Sequence, residues 1–200
     1  MKKLSVLTYL KILVFIALAV VAIKFPNNDF DRVIADLLEI KALEQIAKII
    51  SLVFNDKLLL LIMILLTGFL VWIKEFKKAV FIFFSAGFGG FFLATFKYSI
   101  QRGRPLPELH DGFSFPSGHS TFVALFFLAL IFVINKKEIL AVIATFAIIA
   151  VPISRMILGA HFISDVTAGL LLGSIIVDFM KVYYENIYNI LMRVLGKTNE

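Results

Sequence analysis

Apolar runs of membrane-crossing length recur along this 200-residue chain, each closing on charged or helix-breaking residues. A spanning helix needs roughly 20 apolar residues, within a usual range of about 17–25. Six stretches come to about that length: 4–25, 58–73, 79–96, 117–134, 139–158 and 161–180. Hydrophobic residues make up 60% of the chain and charged residues 17%. Soluble proteins are nearer 45–50% apolar. The expected fold is therefore all-α and integral to a membrane, with about six transmembrane helices in one bundle and a single domain over 1–200.

The first run follows Met1-Lys2-Lys3 and so has the outline of a signal peptide, with Ala17-Leu18-Ala19 as a cleavage site. It continues through Ile23, however, and reads as a retained helix. It carries Lys11, which must lie near an end or against protein. The stretch 30–54 differs in kind. Val33, Leu37, Ile40, Leu43, Ala47, Ile50 and Phe54 recur at helical spacing, and Asp31, Arg32, Asp36, Glu39, Lys41, Glu44 and Lys48 fill the other face. This predicts an amphipathic helix, or a broken pair, lying in the interface between the first two spans. The tail from Lys181 has weaker periodicity and predicts a further interfacial helix. Gly87, Gly89 and Gly90, and Gly169 and Gly173, allow close helix contact.

The net charge of +6 bears first on topology and on anionic lipid. No basic run is interleaved with aromatics, so nucleic acid is not an expected partner. With no cysteine, disulfides and thiolate metal sites are excluded. An even number of spans places the N-terminus and the connections at 74–78 and 135–138 on one side, together with the tail. Their lysines make that side cytoplasmic. The opposite, extracytoplasmic side receives Lys97, Arg102, Arg104, His119, Ser154, Arg155, His161 and Asp165. Ionisable groups within or beside spans are functional candidates by default.

Phe115-Pro116-Ser117-Gly118-His119-Ser120 stands between a polar loop and an apolar run. Pro is favoured in a first helical turn, whose free N–H groups at Ser117 and Gly118 would form an anion site. His161 and Asp165 are four residues apart and would share a helix face, the carboxylate fixing the imidazole tautomer. His119 has no carboxylate at that spacing. The clustered cations call for an anion, and an arginine fork suits phosphate. Two histidines and an aspartate, with Glu108, His110 and Asp111 nearby, could instead ligate zinc, but the surrounding positive charge opposes a divalent cation. A transporter is disfavoured, since the charges gather at one end of the spans and no repeat is evident.

Taken together, Lys97-x6-Arg104-Pro105, Pro116-Ser117-Gly118-His119 and Ser154-Arg155-x5-His161-x3-Asp165 resemble the three-part signature of the type 2 phosphatidic acid phosphatase superfamily. These are membrane lipid phosphate phosphatases related to vanadium haloperoxidases, and the short chain resembles bacterial members. The resemblance implies that His161 forms a phosphohistidine and Asp165 orients it. His119 would protonate the leaving oxygen and then activate water. Lys97, Arg104, Arg155 and the Ser117 and Gly118 N–H groups would hold the phosphoryl oxygens. No metal or other cofactor is implied. The substrate would be a lipid phosphate or pyrophosphate: undecaprenyl pyrophosphate, phosphatidylglycerophosphate or phosphatidic acid. A phosphotransferase of the same family is the alternative. Ser154 would bond phosphate or position Arg155, and Arg102 would serve a second phosphate. His110 and Asp111 would be loop structure.

Overall fold

The computed structural model describes residues 3–38, 40–134 and 138–196. Lys2, Glu39, the 135–137 part of a predicted lysine-rich connection and the tail end at 197–200 lie outside the described residues. Eight α-helices account for the described fold: α1 Val6–Lys24, α2 Asp29–Leu37, α3 Glu44–Val53, α4 Asp56–Trp72, α5 Phe76–Ile100, α6 Gly118–Val133, α7 Glu138–Ile157 and α8 Ile163–Val194. A 3-10 turn at Lys41–Leu43 joins α2 to α3. Short polar side chains start several helices by accepting otherwise unpaired N–H groups. Ser5 caps α1, Asn28 caps α2, Asn55 caps α4 and Ser117 caps α6.

The predicted all-helical membrane fold is present. Among the described residues, five segments are long and apolar enough to cross a bilayer: α1, the stretch Lys41–Trp72 formed by α3 with α4, α5, α7 and α8. The sixth predicted span, α6, is apolar but has only 16 residues. At 1.5 Å per residue it is about 24 Å long, short of a hydrocarbon core of about 30 Å. It sits at the centre of the bundle, where α4, α5, α7 and α8 all pack on it. Val123, Leu125 and Ala129 are fully enclosed there. The outer helices show the opposite pattern. Leu13, Trp72, Ile139 and Phe146 all stand exposed, as helices facing lipid require.

Two glycines set the closest helix pair. A Cβ at Gly169 would come within 2.6 Å of the Ser117 carbonyl, and one at Gly173 would run into the Thr121 carbonyl and lie 2.9 Å from the Leu125 nitrogen. These obstacles are α6 backbone and cannot swing away. Gly173→Ala is therefore expected to destabilise the protein by about 1–3 kcal/mol, the usual scale of overpacking. Gly90→Ala, with nothing within 4 Å among the described residues, should leave stability unchanged or slightly raised. Thermal unfolding of both variants in one detergent checks the pair. Of Gly87, Gly89 and Gly90, only Gly89 meets a neighbour, the Leu125 side chain at 3.0 Å.

Two expectations change. The tail does not form a separate helix: α8 continues through Val194, with Tyr184 and Ile187 packed against the core. Nothing between Met180 and Val194 interrupts helical hydrogen bonding, since the segment holds no Pro or Gly. The amphipathic stretch is the broken pair α2 and α3, and α2 is turned inside out. Phe30, Val33 and Leu37 are exposed, while Asp31, assigned by periodicity to the polar outer face, is buried. Periodicity defines a face but not its direction, and here the apolar side points away from the protein. Lys11 does lie against protein, with its Nζ 2.7 Å from the Asp178 carboxylate of α8.

Candidate active site

The site gathers at the end of the bundle where α5 ends and α6 and α8 begin. Its start is the turn at 115–120. Pro116 follows a cis peptide bond and precedes the cap, so it lies just outside the helix that sequence places it in. Ser117 is the cap, its Oγ accepting the Ser120 N–H at 3.4 Å. Its own N–H donates to the Asp165 carbonyl at 3.0 Å. That bond fastens α6 to α8 and removes the Ser117 N–H from the anion cradle that the sequence suggests. The Ser117 side chain and backbone are buried as structure. Gly118 and His119 then open α6.

His161 precedes α8, two residues before its first turn, so it does not share a helix face with Asp165 as the four-residue spacing suggests. The chain bends so that His161 Nδ1 still comes 3.8 Å from Asp165 Oδ2. His161 is 3% exposed, and its Nδ1 has no hydrogen-bond partner among the described residues. On the opposite edge of the ring, Nε2 lies 3.3 Å from Arg104 Nη1. Burial first, then the charges of Lys97, Arg155, Arg104 and His119, hold the His161 pKa well below the ordinary histidine value. The imidazole is therefore neutral at pH 7, with one nitrogen toward a carboxylate and the other toward cations.

Those cations come from three places. Lys97, in the last turn of α5, donates to the Phe113 carbonyl at 2.6 Å. Arg104 is laid across the loop by its bonds to the Asp111 and Gly112 carbonyls at 3.0 and 3.1 Å, and to the Ala160 carbonyl at 2.9 Å. Arg155, in the last turn of α7, donates to Ser51 Oγ at 2.5 Å, while its Nε is buried without a partner among the described residues. The unpartnered buried Nε of Arg155, beside Lys97 and Arg104, leaves a concentration of positive charge suited to a tetrahedral oxyanion.

The remaining predicted residues take other places. Ser154 is buried, and its hydroxyl proton is engaged by the Val151 carbonyl of its own helix at 2.7 Å. His110 Nε2 bonds the Leu158 carbonyl at 2.7 Å, and burial holds its pKa below the ordinary value. The Asp111 carbonyl accepts from Arg104, so both residues help to shape the loop. Among the described residues, no three His, Asp or Glu side chains converge as a metal site.

Arg102 is the largest correction. Its side chain is wholly buried, which puts a second substrate phosphate out of its reach. It bonds Asp165 Oδ1 at 2.7 Å, Ser164 Oγ at 2.6 Å, Asp31 Oδ2 at 2.7 Å and the Pro26 carbonyl, and its guanidinium lies 4.3 Å from the centre of the Phe162 ring. Asp31 in turn accepts from the Ser164 N–H and hydroxyl at 3.1 and 2.6 Å. Burial alone would raise the Asp31 pKa, but hydrogen bonds from Ser164, Arg102 and Asn28 win and lower it. The other oxygen of Asp165 accepts the Phe162 N–H at 2.9 Å. Asp165 is thus fixed on two sides before it faces His161.

Sequence reasoning also missed Asp56, in the first turn of α4. Its Oδ1 lies 3.8 Å from His119 Nδ1. A Cβ at Gly118 would collide with its Oδ2. His119 therefore does have a neighbouring carboxylate, from a different helix. The available signal was topological: the connection at 54–57 reaches the same membrane face as the motif residues.

A family model described as "PAP2 superfamily" matches residues 56–188. Phosphatidylglycerophosphatase B of Bacillus subtilis (strain 168) is 38% identical over 99 residues, 44% of this chain and 49% of that one. Lipid A 1-phosphatase of Rhizobium johnstonii is 33% identical over 108 residues, 47% of this chain and 43% of that one. The match thus spans about half the length of these curated relatives. Among solved structures, a transmembrane PAP2 type phosphatidylglycerolphosphate phosphatase from Bacillus subtilis superimposes with a TM-score of 0.75 at 26% identity, covering 90% of this chain and 96% of that one. Aquifex aeolicus LpxE superimposes with a TM-score of 0.65 at 18% identity, covering 80% and 99%, and so shares the fold. The matched segment takes in both histidines and all three cations of the site, and this membrane-protein chain belongs to the PAP2 superfamily.

Proposed function

We propose that the chain works as one unit, a membrane lipid phosphatase that removes a terminal phosphate through a phosphohistidine on His161. The observation that carries this reading is the His161 ring, neutral and buried, with Nδ1 toward Asp165 and Nε2 beside Arg104. The names of the relatives, a phosphatidylglycerophosphatase and a lipid A phosphatase, support it.

The chemistry is phosphoryl transfer in two steps. The Nε2 lone pair of His161 attacks phosphorus as the P–O bond to the lipid breaks. The departing oxygen takes its proton from His119. A water then attacks the phosphohistidine, giving its proton to His119 while the P–N bond electrons return to His161. Lys97, Arg104, Arg155 and the Gly118 N–H stabilise the equatorial oxygens, where charge is spread in the transition state. Asp165 holds the Nδ1 proton and the orientation of the ring. The arginines and the lysine supply the positive charge that phosphoryl transfer needs.

A lipid tail has a place to lie. A cavity of about 750 Å³ opens between α1, α5 and α8, lined by apolar side chains that include Phe15, Phe96 and Ile176. Phe96 directly precedes Lys97, and Phe15 contacts Phe115 with ring centroids 6.0 Å apart. Phosphatidylglycerophosphate, undecaprenyl pyrophosphate and phosphatidic acid all combine such a tail with a terminal phosphate. Lysine placement supports an extracytoplasmic position for this end in the cell membrane, and the exposed apolar face of α2 supports a place for that helix at the interface.

Purified protein in detergent, with EDTA present, should release phosphate from these lipids. Unchanged lipid, or release that needs an added divalent metal, refutes the proposal. Mass analysis of products separates hydrolysis from transfer to a second lipid. Because burial and neighbouring cations depress the His161 pKa, the acid limb of kcat/KM owed to this nucleophile should lie below about pH 6.5, the ordinary histidine value. A limb centred at or above that value contradicts the assignment.

A further inference from the structure

Asp56 lies outside the three-part signature, at the start of α4. An acidic residue in a first helical turn is ordinary, and Asp56 Oδ1 does accept the N–H of its neighbour Lys57 at 3.0 Å. Two observations go beyond that capping role. Oδ1 also lies 3.8 Å from His119 Nδ1, the same separation and the same ring nitrogen as in the His161–Asp165 pair. Oδ2 presses on the bare Cα of Gly118, where any side chain would displace it. Gly118 is thus as much a fit for the carboxylate of Asp56 as for a phosphate.

Resting on the phosphatase reading above, we propose that Asp56 is a positioning residue for His119. Its carboxylate accepts the Nδ1–H and turns Nε2 toward the leaving oxygen. In the first step Nε2–H gives its proton to the departing alkoxide, and the carboxylate steadies the imidazolium that donates it. In the second step Nε2 receives the proton of the attacking water, and Asp56 stabilises the imidazolium as it forms. A separation of 3.8 Å exceeds a formed hydrogen bond, and catalytic hydrogen bonds of this kind tighten in the Michaelis complex. The site then holds two His–carboxylate pairs, one for the nucleophile and one for the acid–base group.

The test compares a long-chain alkyl phosphate, whose leaving group needs a proton, with an alkyl-substituted nitrophenyl phosphate, whose leaving group does not. Asp56→Asn should lower kcat/KM for the alkyl phosphate by about 10–100-fold, the scale of losing an orienting partner. kcat/KM for the nitrophenyl phosphate, which reports phosphohistidine formation and not the later water step, should change by less than about 3-fold, because proton donation contributes little there. Equal losses on both substrates, or full turnover of the alkyl phosphate, overturn the proposal. His119→Ala is the control for the underlying reading. If it shows no leaving-group preference, the acid assignment fails whatever Asp56 does. If His119→Ala shows the preference and Asp56→Asn does not, only the role of Asp56 fails. Should Asp56→Asn not fold, Asp56→Glu keeps the charge at the α4 start and carries the same comparison. Loss confined to the alkyl phosphate then supports the pairing, and equal loss on both substrates overturns it.

Discussion

Arg102→Leu is expected to be the most destabilising single change at this end of the bundle. The guanidinium is the shared partner of two buried carboxylates, Asp31 and Asp165, each 2.7 Å away. Removing one partner of a buried ion pair typically costs about 3–5 kcal/mol, because it leaves an uncompensated charge. Here two charges are left, together with Ser164 and the Pro26 carbonyl. The melting temperature in detergent should fall sharply, with activity lost even where folded protein remains, since Asp165 is no longer held. The double variant Arg102→Leu with Asp31→Asn should recover part of the stability, because it removes one orphaned charge. Recovery of stability without recovery of turnover would separate the scaffold from the chemistry. A melting temperature for Arg102→Leu equal to that of the parent would mean that the network is not a stabilising core.

His161→Ala should remove turnover almost entirely, by about 10³-fold or more, as loss of a covalent nucleophile does. The protein should remain folded, because the imidazole has no formed hydrogen bond on Nδ1 and only a long contact on Nε2. Brief incubation of the parent with labelled lipid phosphate should leave an acid-labile label on the protein. His161→Ala should leave none. His119→Asn should still acquire the label from an activated phosphate, since that residue is proposed to serve the leaving group and the water. Full turnover by His161→Ala, or a label retained on it, refutes the phosphohistidine.

The readable part of this protein is local. Runs of apolar side chains at 58–73, 79–96 and 139–158 announce helices because hydrocarbon demands a minimum apolar length, whatever the neighbours are. The signature residues Lys97, Arg104, His119, Arg155, His161 and Asp165 are legible for a related reason. Oxyanion chemistry needs those side-chain types, and the spans deliver them to one face.

What was not legible depends on which helix lies beside which. Arg102 and Asp31 are 71 positions apart, and no spacing rule reaches that far. Arg102 reads in the sequence as one more cation for phosphate, and Asp31 as a solvated charge. Only the packing of α2 against the start of α8 turns them into a buried pair that braces Asp165. The Ser117 N–H reads as free until α8 places the Asp165 carbonyl 3.0 Å from it.

The sequence by itself determined an all-helical membrane chain with a cationic, two-histidine end. Apolar length and residue chemistry are properties of single segments. The tertiary structure alone decided which way α2 faces, that α6 is enclosed by its neighbours, and that His119 also has a carboxylate beside it, from Asp56. Those outcomes are contacts between distant segments, set by close backbone approach at Gly169 and Gly173 and by buried charges that must find opposite charges once water is gone.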